Sequence, residues 1–229
     1  MKSKGLAHEG LSCLLQNDGV PPAIICDGAK EMVLGEFRRK LKEASCQLKQ
    51  LEPYSPWTNA AEREIKELKK GASRKMVARQ VPKRLWDDCL EFESHIRSNT
   101  VNSVYKLNGE VPETVMSGQT SDISQFCEFG FYDWTMWFDE KAAFPDGAWT
   151  LGRYLGPSID VGPAMTSKIL TKKGTVLHRS TYRPLSDQEM VTMTDDFSLF
   201  DKSIHAKLGP QATPADFPSI GGEETVQFE

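Results

Sequence analysis

The chain lacks any apolar run near the roughly 18 residues a membrane-spanning helix needs, and its start, Met1 to Glu9, lacks the apolar stretch of a secretory signal. No membrane association is expected, and the expected compartment is nuclear or cytoplasmic. Cysteine is sparse and odd in number, with five residues at 13, 26, 46, 89 and 127 and no C-x-x-C pair. That excludes a disulfide framework or a cysteine zinc site, and the thiols read as buried and reduced. The four histidines, His8, His95, His178 and His205, are dispersed, so histidine-based metal or acid–base chemistry is not expected. No internal repeat is present.

What the chain has is charge sorted into blocks. The net charge is −4, yet residues 36–85 hold 14 basic and 6 acidic side chains, and residues 153–185 hold 6 basic and 1 acidic. The acidic counterweights are residues 86–152 and 186–229. A polyanion is steered by local pattern more than by total charge, so the two basic blocks suit nucleic acid. Solvated faces offset by their acidic neighbours would look the same.

Leu6, Leu11, Leu14 and Leu15 space out a helix over 4–17, closed by Asn17-Asp18-Gly19. Pro21-Pro22 launches a strand at 23–27, and Leu34, Phe37, Leu41 and Ala44 mark a helix at 34–44. Residues 46–51 fit either an extension of that helix or a short strand, and the prolines at 53 and 56 make 53–58 a loop. Asn59 caps a helix of about 60–79 whose buried stripe is Ala61, Ile65, Leu68, Ala72 and Met76. At about 100° per residue, Glu62, Lys66 and Lys69 share one edge beside that stripe. A further helix at 83–98 turns Leu85, Trp86, Cys89, Leu90 and Ile96 inward. From Phe129 the period drops to two, with Tyr132, Trp134, Met136 and Phe138 alternating with polar residues, and short strands follow to about 186. The remainder, acidic and rich in proline and glycine, reads as disordered.

The strand 23–27 ends on Asp27, and Glu62 follows 35 positions later at a helix start. Two carboxylates so placed bring hard oxygen ligands to a divalent metal, the apparatus of phosphoryl transfer on nucleic acid. Cys26-Asp27-Gly28-Ala29-Lys30-Glu31-Met32 resembles the integrase pattern D-x-G-x-E-F, and Pro53 to Arg63 resembles P-Y-[ST]-P-x-x-N-G-x-A-E-R. With Leu85-Trp86, Asn99, Pro112-Glu113-Thr114, Phe129-Gly130 and Leu151 to Leu185, residues 1–186 resemble the integrase of copia-type LTR retrotransposons. Thr58-Asn59-Ala60 departs from the family pattern by being one residue shorter before the carboxylate helix.

The resemblance implies an α/β chain with the C-terminal part of an RNase H-like catalytic core at 1–100 and a connecting segment at 101–128. A small SH3-like β-barrel at 129–186 and a disordered acidic tail at 187–229 complete the expected organisation. It implies that Asp27 and Glu62 are two of three catalytic, metal-binding carboxylates for Mg²⁺ or Mn²⁺. The family's first carboxylate lies upstream of where this sequence begins, so a chain inactive in strand transfer by itself is expected. DNA is the expected partner, with other integrase subunits. Lys66 and Lys69, with Arg63 behind them, are expected to contact DNA. Arg153, Lys168, Lys172, Lys173, Arg179 and Arg183 are expected to form a sequence-independent phosphate surface. Trp134, Trp137, Trp149 and Tyr154 are expected in the core, although base stacking is the competing use of such rings. A non-catalytic nucleic-acid-binding or assembly module remains the alternative, as does a nuclease of the same fold.

Overall fold

The computed structural model describes residues 6–26, 29–51, 60–101, 107–142, 147–162 and 165–217. The chain divides into two compact units, residues 1–64 and 65–229.

In the first unit α1 (Ala7–Asn17) precedes β1 (Ala23–Cys26), and α2 (Lys30–Val33) and α3 (Gly35–Glu43) lead to β2 (Gln47–Gln50). β1 and β2 pair in parallel from Ala23↔Gln47 to Cys26↔Gln50, with the two short helices as the crossover that parallel pairing requires. Phe37 and Leu41, one turn apart on α3, are buried with Leu11 of α1, and Ile24 and Leu48 pack beneath them. The strand alternative for residues 46–51 holds because Ser45 turns left-handed at φ 56° and stops α3. Its N–H donates to Lys42 O, and the Cys46 N–H donates to Leu41 O at 2.8 Å, which is a Schellman cap with a serine in the glycine position.

In the second unit α4 (Ala60–Ala78), whose first residues belong to the first unit, ends in the same way. Gln80 has φ 53°, and Val81 N–H donates to Met76 O with both side chains buried. A 3₁₀ turn (Lys83–Leu85) leads to α5 (Trp86–Asn99), then to α6 (Pro112–Ser117) and α7 (Ser124–Cys127). Only the C-terminal part of the expected α4 stripe, Ala72 and Met76, is fully buried; Ile65 is half exposed. Trp86 is 59% exposed because the preceding 3₁₀ turn gives the inward position to Leu85.

Five strands follow: β3 (Trp134–Phe138), β4 (Trp149–Pro157), β5 (Ser167–Thr171), β6 (Val176–Arg179) and β7 (Tyr182–Pro184). They form an antiparallel sheet in the order β6-β5-β4-β3-β7. The expected closed barrel is not formed. β6 and β7 are the two edges with no ladder between them among the described residues, and β7 is three residues long and ends on a proline that cannot donate to a ladder. Helices occupy the sheet instead. Phe92 of α5 packs against Phe131 and Tyr154, and it lies close enough to Gly156 that a Cβ there would fall 2.9 Å from its ring. Burial from both sides explains why Thr135 is fully enclosed and satisfies its hydroxyl by donating to Arg183 O.

The acidic tail is also corrected. Residues 187–217 fold into α8 (Asp187–Thr192), α9 (Thr194–Leu208) and a 3₁₀ turn (Pro214–Asp216). Phe200 and Ile204 of α9 are buried in the main core, and Ala212 N–H donates to Val81 O. Asp187, Glu189, Asp195 and Asp196, among the acids that read as disorder, sit in first turns, where the helix dipole favours them, and Ser186 and Glu189 close a capping box. Residues 218–229 lie outside the described part.

Candidate nucleic-acid interface

Asp27 and the 53–59 loop lie outside the described residues. Glu62 stands in the first turn of α4 and is exposed, as is Arg63, which approaches Glu64 at 3.9 Å. Among the described residues no group of three or more His, Cys, Asp or Glu could hold a metal ion. Mg²⁺ takes near-octahedral oxygen coordination, which Glu62 by itself does not supply. Lys66 and Lys69 are exposed further along α4.

The expected phosphate surface separates by what each cation already touches. Arg153 on β4 is engaged within the fold and only 12% exposed. Its Nη2 donates to both oxygens of Asp201 on α9, and its guanidinium lies 3.2 Å from the Trp134 ring centroid. Trp134 and Arg153 are register partners across β3 and β4, and Phe197 of α9 stacks on Trp134 at 4.5 Å. Burial lowers the Arg153 pKa below the ordinary arginine value while Asp201 opposes the shift. Lys168 is held by both oxygens of Glu91 at 2.7 Å, and Arg183 by Glu189 at 2.6 Å. The aromatic residues follow the core expectation at Trp137 and Tyr154, both buried; Trp149 is 39% exposed.

Lys172 and Lys173 differ. They occupy the β5–β6 turn, exposed, where Gly174 at φ 76° closes the hairpin and its N–H donates to Thr171 O. The Lys172 carbonyl accepts from Ser203 Oγ at 2.9 Å and from Lys207 Nζ at 3.1 Å, both on α9. α9 therefore adds a third lysine to this cationic tip. The sequence does not single out Lys207, because an acidic tail rich in proline and glycine reads as disordered; the i, i+3, i+4 spacing of Phe197, Phe200, Ile204 and Leu208 is the signal that marks the helix carrying it. Arg179, at the end of β6, lies over Trp137 with 5.4 Å from its guanidinium carbon to the ring centroid.

No helix among the described residues is long and apolar enough to cross a membrane. No protein-family model matches the chain, and no curated protein matches it. Among 46 matching chains of solved structures, one belongs to the cryoEM structure of the simian T-cell lymphotropic virus intasome in complex with PP2A regulatory subunit B56 gamma. The identity is 13%, the TM-score 0.42, and the match covers 81% of this chain. This chain spans 66% of that chain's length.

Proposed function

We propose that the protein is a nucleic-acid-binding module descended from a copia-type retrotransposon integrase, whose ancestor joined DNA ends by metal-dependent phosphoryl transfer. The observation that carries the binding role is the exposed lysine tip at Lys172 and Lys173, joined by Lys207. The ancestry rests on the motifs around Asp27 and Glu62. Lysines on a turn contact phosphate as point charges without reading bases, so the binding is sequence-independent and salt-sensitive. Lys66 and Lys69 add a second basic surface on α4. On the same reading Asp27 and Glu62 would contribute oxygen ligands to Mg²⁺ or Mn²⁺, and strand transfer would need a further carboxylate.

Duplex DNA titrations of the full chain across a salt series test the reading. Wild type should lose affinity steeply with salt, and K172Q/K173Q/K207Q should flatten the log–log slope by about 2 to 3. A wild-type affinity that does not change with salt would sink the proposal. A strand-transfer assay with Mg²⁺ or Mn²⁺ and D27N as control tests the catalytic ancestry separately.

A further inference from the structure

The sheet's open seam contains a cavity. Past Arg179 the chain turns at Ser180 and Thr181 from one sheet edge to the other, and Phe138 N–H donates to Thr181 O at 3.1 Å to tie that corner to the end of β3. Where the corner meets the β4–β5 connection lies a space of about 180 Å³, walled by His178, Arg179, Ser180, Thr181 and Thr166, with Glu140 on the same lining. That is well above the ~10–15 Å³ that admits one water.

Arg179 is singular among the strand-borne cations of this sheet. Arg153, Lys168 and Arg183 each hold a carboxylate, whereas Arg179 has no carboxylate partner among the described residues. Its Nη1 donates to the His178 carbonyl, and its Nε is buried with no hydrogen-bond partner. Trp137 Nε1, in the ring beneath it, is a second buried donor without an acceptor. Unsatisfied buried donors are costly, more so when charged, and Ser180 and Thr181 add hydroxyl groups to the wall that can donate as well. A planar guanidinium with an unfilled donor, beside the Ser180 and Thr181 hydroxyls and an imidazole whose Nδ1 is already paired with Ser158 Oγ at 2.7 Å, suits a tetrahedral oxyanion.

We infer that this cavity is an oxyanion seat centred on Arg179 that takes a phosphate group, the phosphodiester of a bound nucleic acid being its occupant. The assignment of the occupant rests on the proposed nucleic-acid role; the seat itself does not. Glu140 sets an upper limit on affinity by placing a negative charge in the same wall.

Two titrations of the full-length protein test it: inorganic phosphate followed by NMR shifts of the Arg179, Ser180 and Thr181 amides, and duplex DNA across a salt series. Wild type should bind phosphate saturably. R179Q should weaken it about tenfold or more, and E140Q should tighten it by roughly threefold at low salt. R179K, which keeps the charge without the fork, should fall between the two, and matched thermal midpoints exclude misfolding. In the DNA arm a slope lowered by about 1 in R179Q supports the phosphodiester as occupant; an unchanged slope overturns that assignment and leaves free phosphate. Absent or non-saturable phosphate binding, or equal binding by wild type and R179Q, overturns the seat. A wild type that binds phosphate at these amides but not DNA would refute the proposed function while the seat stands.

Discussion

Arg153 and Asp201 meet across 48 residues of chain, with Arg153 Nη2 donating to both carboxylate oxygens at 3.0 and 3.2 Å. The pair fastens α9 to β4, and it turns an arginine that suggests a DNA contact into a structural group.

D201A leaves that guanidinium under the helix, only 12% exposed and without its acid. We expect a loss of about 2 kcal/mol, below the ~3–5 kcal/mol of a fully enclosed pair, because Asp201 itself remains a third exposed. Urea unfolding should show a lower midpoint at unchanged slope, and R153M/D201L should recover most of the loss.

Gly71 lies within α4, where alanine ordinarily stabilises by about 1 kcal/mol. A Cβ there would collide with Glu93 Oε1, and Glu93 is buried and paired with Lys75. G71A should therefore destabilise by roughly 1 kcal/mol, while in an E93A background the same change should stabilise. A double-mutant cycle that keeps one sign in both backgrounds would refute the contact.

Acid should loosen the C-terminal segment. A hydrogen bond from Arg183 brings Glu189 down to about 2, and one from Lys83 brings Asp216 down to about 2. Depressed carboxyl values contribute stability that is complete above the ordinary carboxylate range and is lost as pH falls through that range towards 2. Carboxyl NMR titration should find both groups at the low end, and amide exchange in 187–217 should quicken over that window. R183Q should raise Glu189 only part of the way to the ordinary range, because the Ser186 N–H and hydroxyl still donate to it.

The five thiols should divide by exposure. Cys13 and Cys127 are exposed, whereas Cys26, Cys46 and Cys89 are buried. Burial pushes the Cys89 thiol up to about 12, against the pull of Lys75, so almost no thiolate exists at pH 8. Ellman's reagent should react quickly with two thiols, and C13S/C127S should abolish the fast phase.

Helix and strand positions were largely legible because periodicity reports them directly. Phe37 and Leu41 at one-turn spacing located α3, and the Ala23–Cys26 run after two prolines located β1. The helix ends were less legible, since Ser45 and Gln80 adopt left-handed caps without the glycine that usually signals them. α9 was illegible for a different reason. Net acidity and nearby prolines suit a disordered tail, and only burial against the sheet shows that Phe200 and Ile204 are core residues. Of the candidate interface, Lys172 and Lys173 were readable as a basic turn, while the third lysine and the loss of Arg153 were not.

Local order in sequence determined which segments become helix or strand and where cationic residues concentrate, because spacing and composition act within a few residues. Tertiary structure decided which cations remain available. Arg153, Lys168 and Arg183 are neutralised by Asp201, Glu91 and Glu189, of which Asp201 and Glu91 lie far away in the chain, whereas Lys172, Lys173 and Arg179 have no carboxylate partner among the described residues. Coulomb attraction and desolvation depend on distance in space, and the fold sets that distance.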